Sequence, residues 1–384
     1  MERWKSSFDW NNRVSIHLDR PVVAQLKGLA IFLIVLHNFF HSTFSKTKEN
    51  EFDFAPDRFL YFLNELGDRP EEWVQAFFAY FGHFGVQIFI FLSAYSLALS
   101  YPEVRSPASF FLSRVRKLYP FFVGAILLWS LVSGYSHYSD WNGPLLLMQK
   151  HAEDLALLLS AVFPWPSVHL PMVAPWWFIP YIMQFYLLWA LSSALVNRAP
   201  RAVLLLVILA GLVFNHSVLP LALVESKLNL LFTPLGHIPE IFTGIYLAKY
   251  DLPRPALVLM FPVALVGLYF SGLYEELWSL HHVSGLIVFL FLSAGLLSLA
   301  GARIAKPLFW LGGISLPLFL VNGFLRDPFI ALYYRWPTWE THMGCAILFF
   351  LAVCLLAYFL TKLVHWVERA LVLARRRKEN SPIA

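Results

Sequence analysis

Long apolar runs constrain this chain more than any other feature. Runs long enough to cross a bilayer occur at about 21–43, 83–101, 118–135, 172–196, 202–222, 228–249, 255–271, 283–300, 306–325 and 344–366. A membrane helix needs about 20 predominantly apolar residues to cross the hydrocarbon core. Several runs contain Pro or Gly, which membrane helices tolerate where neighbouring helices satisfy the freed backbone groups. Composition agrees: 58% of residues are hydrophobic and 14% charged, against about 25% charged in a soluble domain. That leaves too little polar surface to cover a water-soluble globule. The predicted fold class is an all-α, polytopic transmembrane helix bundle of about ten spans, one integral-membrane domain over 1–384. About twenty polar and charged residues precede the first run, and no small-residue cleavage site follows it. It reads as a retained helix, not a cleaved signal.

Lys and Arg set the expected orientation. With the N-terminus placed in the cytoplasm, 20 of the 29 basic residues fall on inner segments and 8 on outer ones, with Lys362 inside the last span. Both termini are therefore expected in the cytoplasm, with about 1–20 as a leading segment and about 369–384 as a basic tail. The basic run 375–378 reads as a stop beside anionic lipid, not as a nucleic-acid contact. Two long outer loops follow, at about 44–82 and 136–171, the second holding a Pro- and Trp-rich stretch.

Ionisable groups inside a span are functional candidates by default. The first span carries Lys27, His37 and His41. His37 and His41 are spaced i,i+4 and share a helix face. Imidazole takes a proton near neutral pH, as acyl transfer to a hydroxyl requires; two inert interfacial histidines are the plainer alternative. Arg114, Arg116 and Lys117 sit at an inner mouth, as phosphate ligands or as a positive-inside anchor. Trp176 and Trp177 open the fourth span, as an aromatic belt or a sugar-stacking wall. His237 and Glu240 lie i,i+3, too few ligands to argue a metal; none is predicted. Arg326 and Asp327 read as an interfacial ion pair. Cys345 and Cys354 are roughly 13 Å apart along a helix, beyond disulfide reach, and read as packing residues.

Five segments carry a resemblance. The first span, opening Leu26-Lys-Gly-Leu-Ala30 and running to a His, resembles the opening of the acyltransferase 3 family, which begins Leu-Arg-Gly-Ile-Ala. Phe84-Gly-Val-Gln-Ile-Phe-Ile-Phe-Leu-Ser-Ala-Tyr95 is similar to its Gly-Val-x-x-Phe-Phe-x-Leu-Ser-Gly-Tyr/Phe segment. Phe111-Leu-Ser-Arg-Val-Arg-Lys-Leu-Tyr-Pro120 resembles its Phe-x-x-Arg-x-x-Arg-x-Tyr-Pro loop. Pro175-Trp-Trp-Phe-Ile-Pro-Tyr181 resembles its Trp-Phe segment, and Ser315-Leu-Pro-Leu-Phe-Leu-Val-Asn322 its late Ser-Tyr-x-x-Tyr-Leu-x-His helix. Their order is right and they cover nearly the whole chain.

The resemblance implies an O-acyltransferase of the bacterial inner membrane. Its acyl donor is acyl-CoA, usually acetyl-CoA, and its acceptor a hydroxyl of a cell-surface glycan or glycolipid. It implies donor binding by Arg114, Arg116 and Lys117, catalysis by the first-span groups, and acceptor contacts near Trp176, Trp177 and Asn322. Departures are specific: Lys27 stands for the family's Arg, Asn38 falls on its His position, and Asn322 on its late His. At about 100° per residue, His37 lies about 80° and His41 about 40° from Lys27. His37 ends the matching apolar run and is favoured, with His41 open. A transporter or exporter, or a non-catalytic relative in surface-glycan assembly, are the alternative readings.

Overall fold

A computed structural model describes residues 13–14, 18–48, 52–160, 172–218, 220, 222 and 229–379. Most of the leading segment 1–20, the Pro- and Trp-rich stretch near 163–171, and the side chains of the basic run 375–378 lie outside the described residues.

The chain is helical nearly throughout. Its helices are α1 (Arg20–Thr43), α2 (Pro56–Asp68), α3 (Trp73–Phe81), α4 (Phe84–Ser100), α5 (Pro107–Tyr138), α6 (Gly143–Lys150), α7 (Ala152–Ser160), α8 (Phe178–Arg198) and α9 (Arg201–Ser217). They continue as α10 (Ile238–Lys249), α11 (Arg254–Leu273), α12 (His281–Gly313), α13 (Ser315–Leu325), α14 (Asp327–Arg335) and α15 (Trp339–Glu379). Among the described residues the strands are one antiparallel pair, with Arg13 opposite Pro253 and Val14 opposite Leu252.

Each of the ten apolar runs is helical over most of its described residues. Six helices are long and apolar enough to cross a membrane singly, and up to eight spans result if each of two bent helix pairs counts as one. One bent pair joins the helical stretch 70–81 to α4 at 41°; the other joins α13 to α14 at 53°. Of the remaining two runs, α9 is 17 residues long, and the other is two 3₁₀ turns, Leu230–Phe232 and Pro234–His237, leading into the 12-residue α10. The runs at 283–300 and 306–325 are joined in α12, whose backbone leaves helical angles at Gly301 (φ 57°), in the gap between the two runs, and which ends at Gly313, inside the second run. Only glycine takes that backbone conformation without strain.

Helix α1 is the central post. Asp19 caps it, accepting from the Val22 amide at 3.1 Å, and Pro21 preorganises the first turn. It packs against α3, α4, α12, α13, α14 and α15, and its residues from Leu26 to Phe40 are mostly buried. Two glycines make the α1–α12 contact intimate. A Cβ at Gly28 would stand 1.8 Å from the Leu308 carbonyl oxygen, and one at Gly312 would stand 1.9 Å from that of Ala24. Lipid gives no hydrophobic drive between helices, so close backbone approach over small residues supplies the packing. The periphery is the inverse: Leu195, Leu299 and Leu355 are more than 70% exposed. Apolar exposure on that scale marks a surface meant for lipid.

Candidate active site

A cavity of about 250 Å³ opens beside the first half of α1, lined among others by Lys27, Ile34, Val86, Ser93, Lys117, Tyr186 and Phe319. Gly312 and Gly313 also line it, so the glycine contact that pins α1 to α12 also fixes the height of Lys27. Two ammonium groups on one small cavity suit an anionic ligand. Ile34 and Val86 mark its far end, because α1 ascends from Lys27 toward His37 while α4 descends from His83 toward Ser93. His37 stands three residues beyond Ile34, and His83 three residues before Val86. One turn of helix, about 5 Å, therefore separates the cavity's head from a histidine pair.

That pair is held tightly. The His37 Nδ1 lies 3.0 Å from the Phe78 carbonyl oxygen, and the His83 Nδ1 2.7 Å from that of Tyr80. Their ring centroids are 5.7 Å apart, and His41 lies 5.1 Å from His37 on the other side. A carbonyl oxygen only accepts, so each of these Nδ1 atoms carries the proton and each Nε2 keeps a lone pair. Gly82 permits the arrangement: a Cβ there would stand 2.6 Å from the His37 Cβ and 2.9 Å from the Leu33 carbonyl oxygen. The break between α3 and α4 thus presses directly on α1.

Asn38 turns the other way. Its Nδ2 donates to the Asn322 Oδ1 at 2.6 Å, across 284 positions of sequence. Asn322 is fully buried, and its own Nδ2 donates to Leu318 and Phe319 carbonyls at 3.1 and 2.6 Å. Arg326 reaches the Asn38 carbonyl at 3.4 Å. Positions 38 and 322, two of the three departures from the resemblance, are one contact in space. The chain matches the acyltransferase 3 family model, described as an acyltransferase domain, over residues 23–362. This chain belongs to the acyltransferase 3 family. No curated protein and no solved structure matches it.

Within this family member the remaining expected residues separate by environment. Lys27 and Lys117 line the cavity; neither His37 nor His41 is part of its wall, in keeping with the angular offset of His37 from Lys27. Arg114 is boxed by the rings of Phe110, Tyr101 and Tyr186, 4.6, 4.8 and 5.4 Å from its guanidinium carbon. Each cation–π contact contributes about 0.5–2 kcal/mol. The three rings offset part of the cost of holding this charge, whose Nε and Nη2 are buried without a hydrogen-bond partner. Tyr186 is shared between this box and the cavity wall. Arg116 is exposed and outside the lining.

Trp176 and Trp177 differ from a sugar-stacking wall. Trp176 is fully buried, its indole N–H donating to the Leu320 carbonyl at 2.9 Å, with Phe122 and Trp129 against it. Trp177, 5% exposed, packs on Phe232 and His237. Neither indole offers an open face, because the four-residue 3₁₀ turn Ala174–Trp177 that starts the span points both inward. Cys345 and Cys354 are buried free thiols.

His237 and Glu240 are fully buried, with Nδ1 and Oε1 3.8 Å apart, and the His282 Nδ1 is also 3.8 Å from that oxygen. Among the described residues no group of three His, Cys, Asp or Glu side chains is set to hold a metal ion. The sequence reading passed over His83, His281 and His282. The rule that singled out His37, which treats ionisable residues in apolar runs as functional, reaches His83, the first residue of the run 83–101, while His281 and His282 fall just before the run 283–300. All three stand at or just outside the ends of runs, where they pass for interfacial residues.

Proposed function

We propose that this protein transfers an acetyl group from acetyl-CoA to a hydroxyl of a cell-surface glycan or glycolipid, in the bacterial inner membrane with both termini cytoplasmic. One observation carries the reading: a cavity with Lys27 and Lys117 at its rim ends one helical turn from the His37–His83 pair. The donor's phosphates meet Lys27 and Lys117, with Arg114 backing Tyr186 and Arg116 at the mouth. Its thioester extends between Ile34 and Val86 to the cavity head.

There His37 acts as general base. Its Nδ1–H is engaged by Phe78, which leaves Nε2 to take the acceptor's proton. As that O–H bond breaks, the oxygen bonds the acyl carbon; the C–S bond breaks, and the proton ends on sulfur as the free thiol. Asn38 and Asn322 side chains, which hydrogen-bond but do not titrate, orient groups near the head.

Membrane vesicles given radiolabelled acetyl-CoA test this: thiol release matched by label in a glycan or glycolipid fraction is expected. One observation favours a second reading. The two carboxamides at positions 38 and 322 are joined by one hydrogen bond and supply no base, as a non-catalytic relative would show. Absence of thiol release above vesicles lacking the protein would establish that reading instead.

A further inference from the structure

Beyond His37 and His83 the histidines continue in file. His83 stacks with His281 at 6.0 Å and 14°, His281 lies 6.3 Å from His282, and His282 lies 6.3 Å from His237. The file ends on the Glu240 carboxylate, 3.8 Å from the Nδ1 of both His282 and His237. Glu240 is the only fully buried acid among the described residues. The path crosses α1, the turn before α4, α12 and α10, so no single helix pattern produces it.

The tautomers are legible. The Ser271 hydroxyl lies 3.1 Å from the Leu268 carbonyl and so donates to it. Its oxygen, 3.0 Å from the His281 Nδ1, therefore accepts from that nitrogen. Like His37 and His83, His281 thus holds its proton on Nδ1 and keeps a lone pair on Nε2. The Nε2 atoms of His83, His281 and His282 are buried and have no hydrogen-bond partner in the protein. Buried polar atoms are nearly always satisfied, so three such atoms in a row need a reason. His282 differs in that its Nδ1 faces a carboxylate, so a proton arriving at its Nε2 can leave from its Nδ1.

Charge at the ends gives the file a direction. The Arg326 guanidinium reaches the Asn38 carbonyl beside His37 at 3.4 Å, and the Glu240 carboxylate lies against His282 at the other end. A buried imidazolium with no counter-charge is costly, and Glu240 is the counter-charge within reach of the file.

Resting on the acyl-transfer reading above, we propose that His83, His281 and His282 are positioning residues that receive the proton from His37 and hold it against Glu240. The balance is closed. The acceptor O–H bond breaks as its oxygen bonds the acyl carbon, and the proton passes from the His37 Nε2 to the file. The C–S bond breaks with its electron pair on sulfur, and the proton returns through His37 to that sulfur. Ring separations near 6 Å are bridged by one hydrogen-bonded water or by ring rotation.

The test uses the full chain in vesicles with acetyl-CoA. Glu240→Gln and His83→Gln are expected to lower kcat about 10- to 100-fold, a fraction of what loss of a general base typically removes, with KM for acetyl-CoA unchanged. Glu240→Asp should recover most of the rate. Wild-type kcat in Glu240→Gln, or KM moving in step with kcat, would overturn the proposal while leaving the enzyme reading intact. No thiol release by the unaltered protein would instead sink the enzyme reading. A second measurement needs no activity: ¹⁵N-histidine spectra of the protein in lipid. The Nδ1–H tautomer is expected at His37, His83 and His281, with Glu240→Gln shifting His282, His281 and His83 together. A shift confined to His237 and His282 overturns the file.

Discussion

His37 and Asn38 are adjacent on α1 yet serve different neighbours. His37 bonds the Phe78 carbonyl in the α3 direction, and Asn38 bonds Asn322 in α13. About 100° of helix rotation between successive residues produces that split. His37→Ala is expected to lower acyl transfer about 10²- to 10⁴-fold with membrane insertion intact, since Ala enters lipid at least as readily as His. His41→Ala should change the rate much less, because the cavity head lies at Ile34 and Val86, a further turn from His41. Rates of label transfer in the two variants, compared at equal protein in the membrane, check the assignment. A silent His41 variant beside an active His37 variant would move the base one turn along α1.

At the scale of helices, the break between α3 and α4 sets the histidine pair against α1, and Gly82 makes the contact possible. Gly82→Ala places a methyl 2.6 Å from the His37 Cβ and 2.7 Å from the Phe78 carbonyl oxygen, the group that holds the His37 Nδ1. Overpacking of this kind costs about 1–3 kcal/mol. Lower thermal stability in detergent is expected, with a kcat loss that exceeds any change in KM. The other end of α1 gives a complementary outcome. Lys27→Ala and Lys117→Ala should each raise the KM for acyl-CoA roughly tenfold, the equivalent of about 1.4 kcal/mol, and leave the acceptor KM nearly unchanged. Arg116→Ala, exposed and off the cavity wall, should change it less. A donor KM that stays fixed in the Lys27→Ala, Lys117→Ala double variant would return both residues to an anchoring role.

For the whole molecule, the distribution of basic residues argues that both ends of the chain face the cytoplasm. A reporter fused after residue 384 that is active only in the cytoplasm is the expected outcome; activity confined to the outside would reverse every inside and outside assignment made from the sequence. Which ranges are helical was legible, because each is an apolar run bounded by charges, Pro or Gly, although six to eight of the ten qualify as membrane spans. Where one helix stopped and another began was less so. The run at 306–325 is divided after Gly313 between α12 and α13, and the run at 228–249 holds turns Leu230–Phe232 and Pro234–His237 before α10. Hydropathy reports the solvent around a segment, not its backbone angles.

The sequence by itself determined the membrane class, the ten apolar helical runs and the family, the last through short motifs that keep their order along the chain. It also singled out Lys27 and His37, since charge in an apolar run is costly enough to be noticed wherever it falls, and Arg114 and Lys117 as cations at the mouth of the next span. Tertiary structure alone decided what these residues face. It closed Trp176 and Trp177 into the core, boxed Arg114 in aromatic rings, and joined Asn38 to Asn322. It also lined up His37, His83, His281 and His282 toward Glu240. The physical reason is that a helix pattern fixes which residues share a face, whereas the partner of that face is chosen by packing between helices far apart in sequence. In lipid that packing depends on where glycines such as Gly28, Gly82 and Gly312 let backbones meet.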